Sequence, residues 1–395
     1  MGWARHNIVK ILTYIILLGA VSILFFYKQN TLIPGADAYE HSVVESVQNY
    51  QYPWRAPLNS PYITASYIVA QTSILTSLQS ARLISAIASV LSIYMFYQLL
   101  RNWLLSPGKA VVGTVVFATS SWLLVLGRGA HSTIVGVFLL LLVFTLGTRL
   151  LFTTKPLLDW LTLVVATVLS IYTPMLGWLL FLAGIVSMLH YRQRQRSLPL
   201  KKWHKIVIAL VAIVLLAPLI ASIVRLPSIV FDLLSIRTHI SSLSGFILNF
   251  NEIVKNIFFF SDNLSVIGLG NLPMLDIFSL FMFLLGCYYF ERRLSLKRSK
   301  MLFGGLLMGI VICSLVKVDM QQVSILLPLV YIFISAGIHE TITRWLAVFP
   351  RNPIARAAGI ATISIAIGFV SFYHLSRVFI ARPGNPAIHE LYTLK

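Results

Sequence analysis

Residues 33–50 read IPGADAYEHSVVESVQNY. The chain holds 12 acidic residues in all, and three of them, Asp37, Glu40 and Glu45, fall in this one stretch. Pro34-Gly35 is a turn signal, so a helix is expected to start just after it. Asp37-Ala38-Tyr39-Glu40 fits a capping box, with Asp37 as N-cap and Glu40 at the third helical position. Further along, Asp37, Glu40, His41, Glu45 and Gln48 recur at i, i+3 and i+4 spacing, which reads as one helical face. Val43, Val44 and Val47 supply an apolar side. The expected element is a short amphipathic helix that displays carboxylates. A cap needs one carboxylate, and a stripe of them points to chemistry, so both readings stand at this stage. The spacing of Asp37, His41 and Glu45 also permits a divalent cation. No further ligand cluster supports one, and no metal or cofactor is assigned.

The surroundings of this stretch are apolar. Of 395 residues 58% are hydrophobic and 11% charged, with mean hydropathy +0.85. A soluble domain of this size is about 25% charged. Runs of about 20 apolar residues, long enough to cross a hydrocarbon core, recur along the chain. The net charge of +19 would suggest nucleic acid in a soluble protein. Here Lys and Arg sit in short loops between apolar runs, the pattern of positive-inside orientation, and a nucleic-acid partner is excluded. Those basic loops also fit anionic membrane lipid. Cys287 and Cys313 lie in separate apolar runs and form no disulfide framework or metal spacing.

The chain threads as follows. The run 9–27 ends at FFYKQN without a cleavage signal and reads as an uncleaved first membrane helix. Arg5 and Lys10 place its N-terminus in the cytoplasm. Residues 28–78 then form a first extracytoplasmic loop, with 61–76 as an interfacial or re-entrant helix. Further spans are expected at 80–100, 110–126, 131–148, 157–172, 174–190, 206–223, 272–290, 301–316, 322–338 and 357–374. A second long extracytoplasmic loop covers 225–271. The basic segment YRQRQRSLPLKKWHK falls on the cytoplasmic side, in agreement with the threading. The fold class is an all-α polytopic membrane protein, one integral-membrane domain over 1–395, with about eleven transmembrane helices, N-terminus inside and C-terminus outside. No 20–50-residue repeat is present, and no paired broken helices mark an inverted-repeat transporter.

The order of features resembles the GT-C superfamily of membrane glycosyltransferases, in the branch of protein O-mannosyltransferases and aminoarabinose transferases. That branch carries an acidic motif of the type G-x-D-E-x-x-Y after its first helix, and this chain has GADAYEH. A K-P-P-L-like stretch is matched by RAPLNSPYI at 55–63, and an A-R-L-x-S-A helix start by SARLISAIASVLSIYMFYQLL at 80–100. The phrase A-T-S-P-x-x-L-x-x-S-R is matched by ATSSWLLVLGRGAHST at 118–133, and a late R-Y-x-L-P-x-x-P element by MQQVSILLPLVYIF at 320–333.

The resemblance implies transfer of a sugar from a polyprenyl-phosphate carrier to an acceptor at the extracytoplasmic face of the cell membrane. Asp37 matches the family's catalytic aspartate, a general base for a weakly nucleophilic acceptor. Glu40 stands in for the second acid, because Ala38 occupies the position after Asp37. Arg128 matches the motif arginine. With Arg55, Arg82, Lys317 and Lys255 it is an outer-side candidate for the carrier phosphate, for which Arg offers bidentate contact. The family's acid in the second outer loop is missing; His131, Ser132 and Thr133 stand there, and His131 is a further phosphate candidate. Two other functions compete. A lipid-sugar flippase would place ionisable groups at mid-membrane, and a scaffold of envelope assembly would tolerate substitution of Asp37 and Arg128. The sugar, the acceptor and the carrier length carry no signature in the sequence.

Overall fold

The computed structural model describes residues 19–104, 107–150, 156–181, 184, 201–236, 242–260, 272–316 and 318–393. Every regular element among them is helical, as the sequence predicts. Helix α1 (Ala38–Gln48) and α2 (Ser60–Ala70) precede α3 (Ser77–Leu104), α4 (Pro107–Thr119) and α5 (Ser121–Arg128). Then come α6 (Thr133–Arg149), α7 (Pro156–Ile171), α8 (Lys202–Arg225), α9 (Ile229–Leu233) and α10 (Leu243–Phe258). The last part holds α11 (Ile277–Glu291), α12 (Lys297–Ser314), α13 (Met320–Val323), α14 (Leu327–Val348), α15 (Pro353–Ser376) and α16 (Pro386–Thr393). A 3-10 turn, Ser324–Leu326, joins α13 to α14, and a π turn, Arg377–Ala381, extends α15.

Helix α14 is the central post. Its first twelve residues, Leu327 to Ile338, are all buried. It packs along α11, and two glycines set how closely. A Cβ on Gly286 would strike the Phe333 carbonyl, and one on Gly337 the Met282 carbonyl. With no Cβ on either side the backbones approach, the small-residue solution for helix pairs in membranes. Phe333 then gathers Phe283, Phe290 and Phe303 at ring-centroid distances of 5.0–5.5 Å.

The outer helices are apolar where they meet no protein. On α8, Ile206, Leu210, Ile213, Val214, Ile220 and Val224 are all exposed, and on α15 so are Ile354, Ile365, Phe369 and Phe372. Exposed aliphatic rows of this size are lipid-facing surfaces.

Four described helices are long and apolar enough to cross a membrane: Ser77–Trp103, Lys202–Arg225, Met320–Val348 and Pro353–Ala381. Pro107–Thr119 with Ser121–Arg128 makes a fifth only as a bent pair. The expected spans at 131–148, 157–172 and 272–290 correspond to apolar helices of 17, 16 and 15 residues. About half of each of the expected spans 9–27 and 174–190 lies outside the described residues. The expected span 110–126 differs in form: it is broken at Ser120 with a 58° bend. The Ser120 hydroxyl donates to the Phe117 carbonyl (2.8 Å) and accepts from Leu123 N–H (3.3 Å), capping α5 and ending α4. At 11 residues, α2 is too short to span; it lies where an interfacial or re-entrant helix is expected at 61–76.

Helix α3 starts beside α1 and carries Arg82 near its start. Trp103, 21 residues further on, is about 30 Å away along the axis. There Arg298 donates to the Trp103 carbonyl (3.0 Å). The acidic helix and this basic end therefore occupy opposite ends of the bundle.

Candidate functional site

The site is built at the start of α1. Gly35 has φ +98°, a conformation that disfavours any side chain, and a Cβ there would strike the Tyr392 carbonyl. The turn lets Ala36 N–H donate to that same carbonyl (3.1 Å). Asp37 follows as N-cap. Its Oδ1 accepts from Tyr39 N–H (2.8 Å) and Glu40 N–H (2.9 Å), and Glu40 Oε2 accepts from Asp37 N–H (3.4 Å). The capping box expected from the sequence is complete. It uses only one Asp37 oxygen. Oδ2 is buried and has no hydrogen-bond partner.

Glu40 is fully buried and carries the densest pairing in the site. Arg82 Nε donates to Oε1 (2.9 Å) and Arg82 Nη2 to Oε2 (2.7 Å), a bidentate pair. Ala130 N–H donates to Oε1 at 2.6 Å. Burial alone would raise the Glu40 pKa. The Arg82 hydrogen bonds and charge outweigh it, helped by His131 and Ala130 N–H, and hold the carboxyl below its ordinary range. Arg82 Nη2 also donates to the Gly35 carbonyl (2.7 Å), so the turn before Asp37 and the helix after it hang from one guanidinium.

Arg128 closes α5. Its Nη1 donates to the Leu24 carbonyl (2.8 Å) and its Nη2 to the Tyr27 carbonyl (2.8 Å). Its guanidinium lies 4.7 Å from the Phe379 ring centroid. Gln29 ties the two arginines together through the Arg82 carbonyl (2.8 Å) and the Arg128 carbonyl (3.3 Å). A cavity opens among these groups, lined by Gln29, Leu32, Ile33, Glu40, Arg82, Val125, Arg128, Gly129, Arg382 and Tyr392. Burial pushes the Tyr392 phenol up to about 12, with the nearby carboxylates adding to it and Arg382 opposing.

On the other side of Asp37 stands His131, wholly buried. Its Nε2 lies 4.0 Å from Asp37 Oδ2. Neither ring nitrogen has a hydrogen-bond partner. Tyr39 packs at 5.5 Å between ring centroids, and its hydroxyl hydrogen-bonds Ser132 Oγ. Burial raises the Tyr39 pKa. Asp319 caps α13 through Gln321 N–H (2.9 Å). Its side chain reaches solvent, yet the protein crowded round its carboxyl pushes the pKa up, with His131 opposing.

Of the residues named from the sequence, Asp37, Glu40, Arg82, Arg128 and His131 come together here. His41 and Arg55 do not; both are exposed. The single face read along α1 is divided: Glu40 is buried with Val43 and Val47, while His41, Glu45 and Gln48 are exposed. Asp37, His41 and Glu45 thus do not share a pocket. Among the described residues no three His, Cys, Asp or Glu side chains are grouped to hold a metal ion. Lys255 stands 5.5 Å from the Phe260 ring, and Lys317 lies outside the described residues. Sequence reasoning missed Gln29, Tyr39, Asp319, Arg382 and Tyr392. Tyr392 reaches the site from 357 positions beyond Gly35, and no local pattern signals that.

No family model and no curated protein sequence matches the chain. Solved structures do match. The aminoarabinose transferase ArnT from Cupriavidus metallidurans, in a structure bound to undecaprenyl phosphate, superposes at TM-score 0.56 and 11% identity over 96% of this chain and 76% of its own. Its apo form gives TM-score 0.57. The chain shares the fold of this transferase. The Archaeoglobus fulgidus oligosaccharyltransferase AglB, in complex with an inhibitory peptide and a dolichol-phosphate, superposes at TM-score 0.54 and 13% identity over 96% of this chain and 59% of its own. The fold agrees with the four described helices that are long and apolar enough to cross a membrane.

Proposed function

We propose that the protein transfers a sugar from a polyprenyl-phosphate carrier to an acceptor, at the end of the bundle where α1 lies, with Asp37 as general base. The observation that carries this reading is the division of labour within Asp37. Oδ1 is occupied by two backbone N–H groups, so the carboxylate is fixed, and Oδ2 is left unpaired in a fold shared with ArnT. A fixed carboxylate with one open oxygen can take the acceptor proton as the acceptor attacks the anomeric carbon, an effect typically of about 10²–10⁴-fold.

The cavity beside it supplies the other requirement, positive charge for a phosphate leaving group. Arg82, Arg128 and Arg382 line it. Arg82 is the phosphate contact of choice, because its hydrogen bonds to Glu40 and to the Gly35 carbonyl engage Nε and Nη2. Arg128 spans three backbone carbonyls and serves chiefly to fix the entry of the chain into the site. The undecaprenyl phosphate bound to ArnT and the dolichol-phosphate bound to AglB support a polyprenyl-phosphate donor. In this reading the site faces the extracytoplasmic side of the cell membrane, with the N-terminus in the cytoplasm. Whether the sugar is a hexose or a pentose is for assay. The protein in lipid bilayers is offered polyprenyl-phosphate-linked hexoses and pentoses and carrier release is followed. Release from any of them supports the transferase. Movement of intact donor across the bilayer without release supports a flippase.

A further inference from the structure

The site contains three buried polar atoms that the fold does not satisfy: Asp37 Oδ2 and both ring nitrogens of His131. Folded proteins rarely leave such atoms unpaired, and a group of them in a functional site calls for a partner that arrives from outside. Resting on the transferase reading, we propose that His131 is a second functional residue of the site: His131 Nε2 and Asp37 Oδ2 together clasp the nucleophilic hydroxyl of the acceptor, so that the enzyme takes an alcohol and rejects a carboxamide.

The separation supports this. At 4.0 Å, Asp37 Oδ2 and His131 Nε2 are too far apart to hydrogen-bond each other. One oxygen about 2.8 Å from each fits between them. The ring is held in place to meet it. Gly129 lies against its edge, where any Cβ would come within 2.5 Å of Nε2 and 2.6 Å of Cδ2. Tyr39 packs beside the ring and is itself tied to Ser132. None of these contacts is a hydrogen bond to a ring nitrogen.

The two facing groups have complementary demands. A carboxylate oxygen accepts, and an imidazole nitrogen that carries its hydrogen donates. A hydroxyl answers both, giving its proton to Asp37 Oδ2 and accepting His131 Nε2–H on its oxygen. A carboxamide nitrogen can donate to Asp37 but has no lone pair in its plane to receive the imidazole N–H. In the step itself the hydroxyl oxygen bonds the anomeric carbon, and the bond from that carbon to the phosphate oxygen breaks. Its electron pair leaves on the phosphate, and the hydroxyl proton ends on Asp37 Oδ2. His131 holds the attacking oxygen in line throughout. The other charged or titratable groups around the ring are Tyr39 and Glu40 from α1 and Asp319 at the start of α13.

The test uses the full chain in bilayers with a polyprenyl-phosphate-linked hexose or pentose as donor. Two acceptor probes are compared: an alkyl glycoside with free hydroxyls, and an asparagine-containing peptide without Ser, Thr or Tyr. Wild type is expected to glycosylate the alkyl glycoside and not the peptide. His131→Ala should lower kcat/KM for the glycoside by about 100-fold, the effect of removing one well-placed donor. His131→Gln, whose amide reaches the Nε2 position, should recover more activity than His131→Asn, and that contrast decides the matter if His131→Ala does not fold. Wild-type transfer by His131→Ala, equal rates for the Gln and Asn variants, or preference for the carboxamide overturns the clasp while leaving the transferase intact. Wild type that consumes no donor removes the transferase reading and the clasp with it.

Discussion

Two buried histidines sit beside aspartates in this molecule, His131 by the buried Asp37 and His374 by the part-buried Asp276, and they are treated differently. His374 on α15 is saturated: Nδ1 pairs with Ser121 Oγ (3.0 Å) and Nε2 with Asp276 Oδ2 (2.9 Å). Asp276 is saturated too, capping α11 through Ser279 N–H (3.0 Å) and the Ser279 hydroxyl (2.5 Å). That chain of contacts pins α5, α11 and α15 to one another and has no atom in reserve. At the other pair, the His131 ring makes no hydrogen bond and Asp37 keeps Oδ2 unpaired. Both pairs are polar groups in an apolar bundle, where buried unpaired atoms are costly. The first is spent on holding helices together. The second keeps capacity for a group the protein does not itself contain.

Stability measurements in bilayers or detergent can break this contrast. The largest effect is expected from Glu40→Ala, which strands the buried Arg82 guanidinium. Removing one partner of a buried, hydrogen-bonded ion pair costs about 3–5 kcal/mol. The exposed i,i+4 pair of Arg344 with Glu340 at the opposite end is the control, and Arg344→Ala should leave unfolding unchanged within error. Next comes His374→Ala, which removes the ring that joins Asp276 to Ser121 and should cost about 1–3 kcal/mol. His131→Ala should cost less than that, since no hydrogen bond is lost. Equal losses for the two histidines would erase the distinction drawn here. Smaller again is Asp37→Ala, which removes the cap and should cost about 1 kcal/mol, whereas Asp37→Asn keeps a good N-cap and should unfold like wild type.

Acid sharpens the same picture through Glu40. Its native pKa lies below the ordinary value of 4.5. The carboxylate therefore contributes stability that is fully present above that value and is lost as the pH falls below it toward the native pKa. Unfolding followed across this window should show that loss, and Glu40→Gln should remove the slope while lowering stability throughout.

Much of the site was legible in the sequence, and particular residues show where legibility ended. The capping box in DAYE is a local pattern and came out as read. So did the gathering of Asp37, Arg82, Arg128 and His131 at one end, because membrane threading places them at the same level. Their roles were not legible. Arg128 meets the carbonyls of Leu24 and Tyr27, more than a hundred positions earlier, and a lone arginine gives no sign of that. The face along α1 was misread because i, i+3 steps from Asp37 were joined to i, i+4 steps. The helix divides them, and Glu40 follows the valines inward. The break at Ser120 and the return of Tyr392 to Gly35 depend on tertiary contacts that no short window contains.

The central claim is that Asp37 acts through the one oxygen its cap leaves open, and Asp37→Asn isolates that oxygen. Asn keeps the side-chain oxygen that accepts from Tyr39 and Glu40 N–H and replaces the basic oxygen with an amide. The decisive measurement is the release of polyprenyl phosphate from a sugar-charged carrier by wild type and Asp37→Asn of matched thermal stability. The expected result is turnover by wild type and a loss of about 100-fold or more in the variant. Equal turnover by the two proteins would contradict the account and leave Asp37 as a helix cap alone.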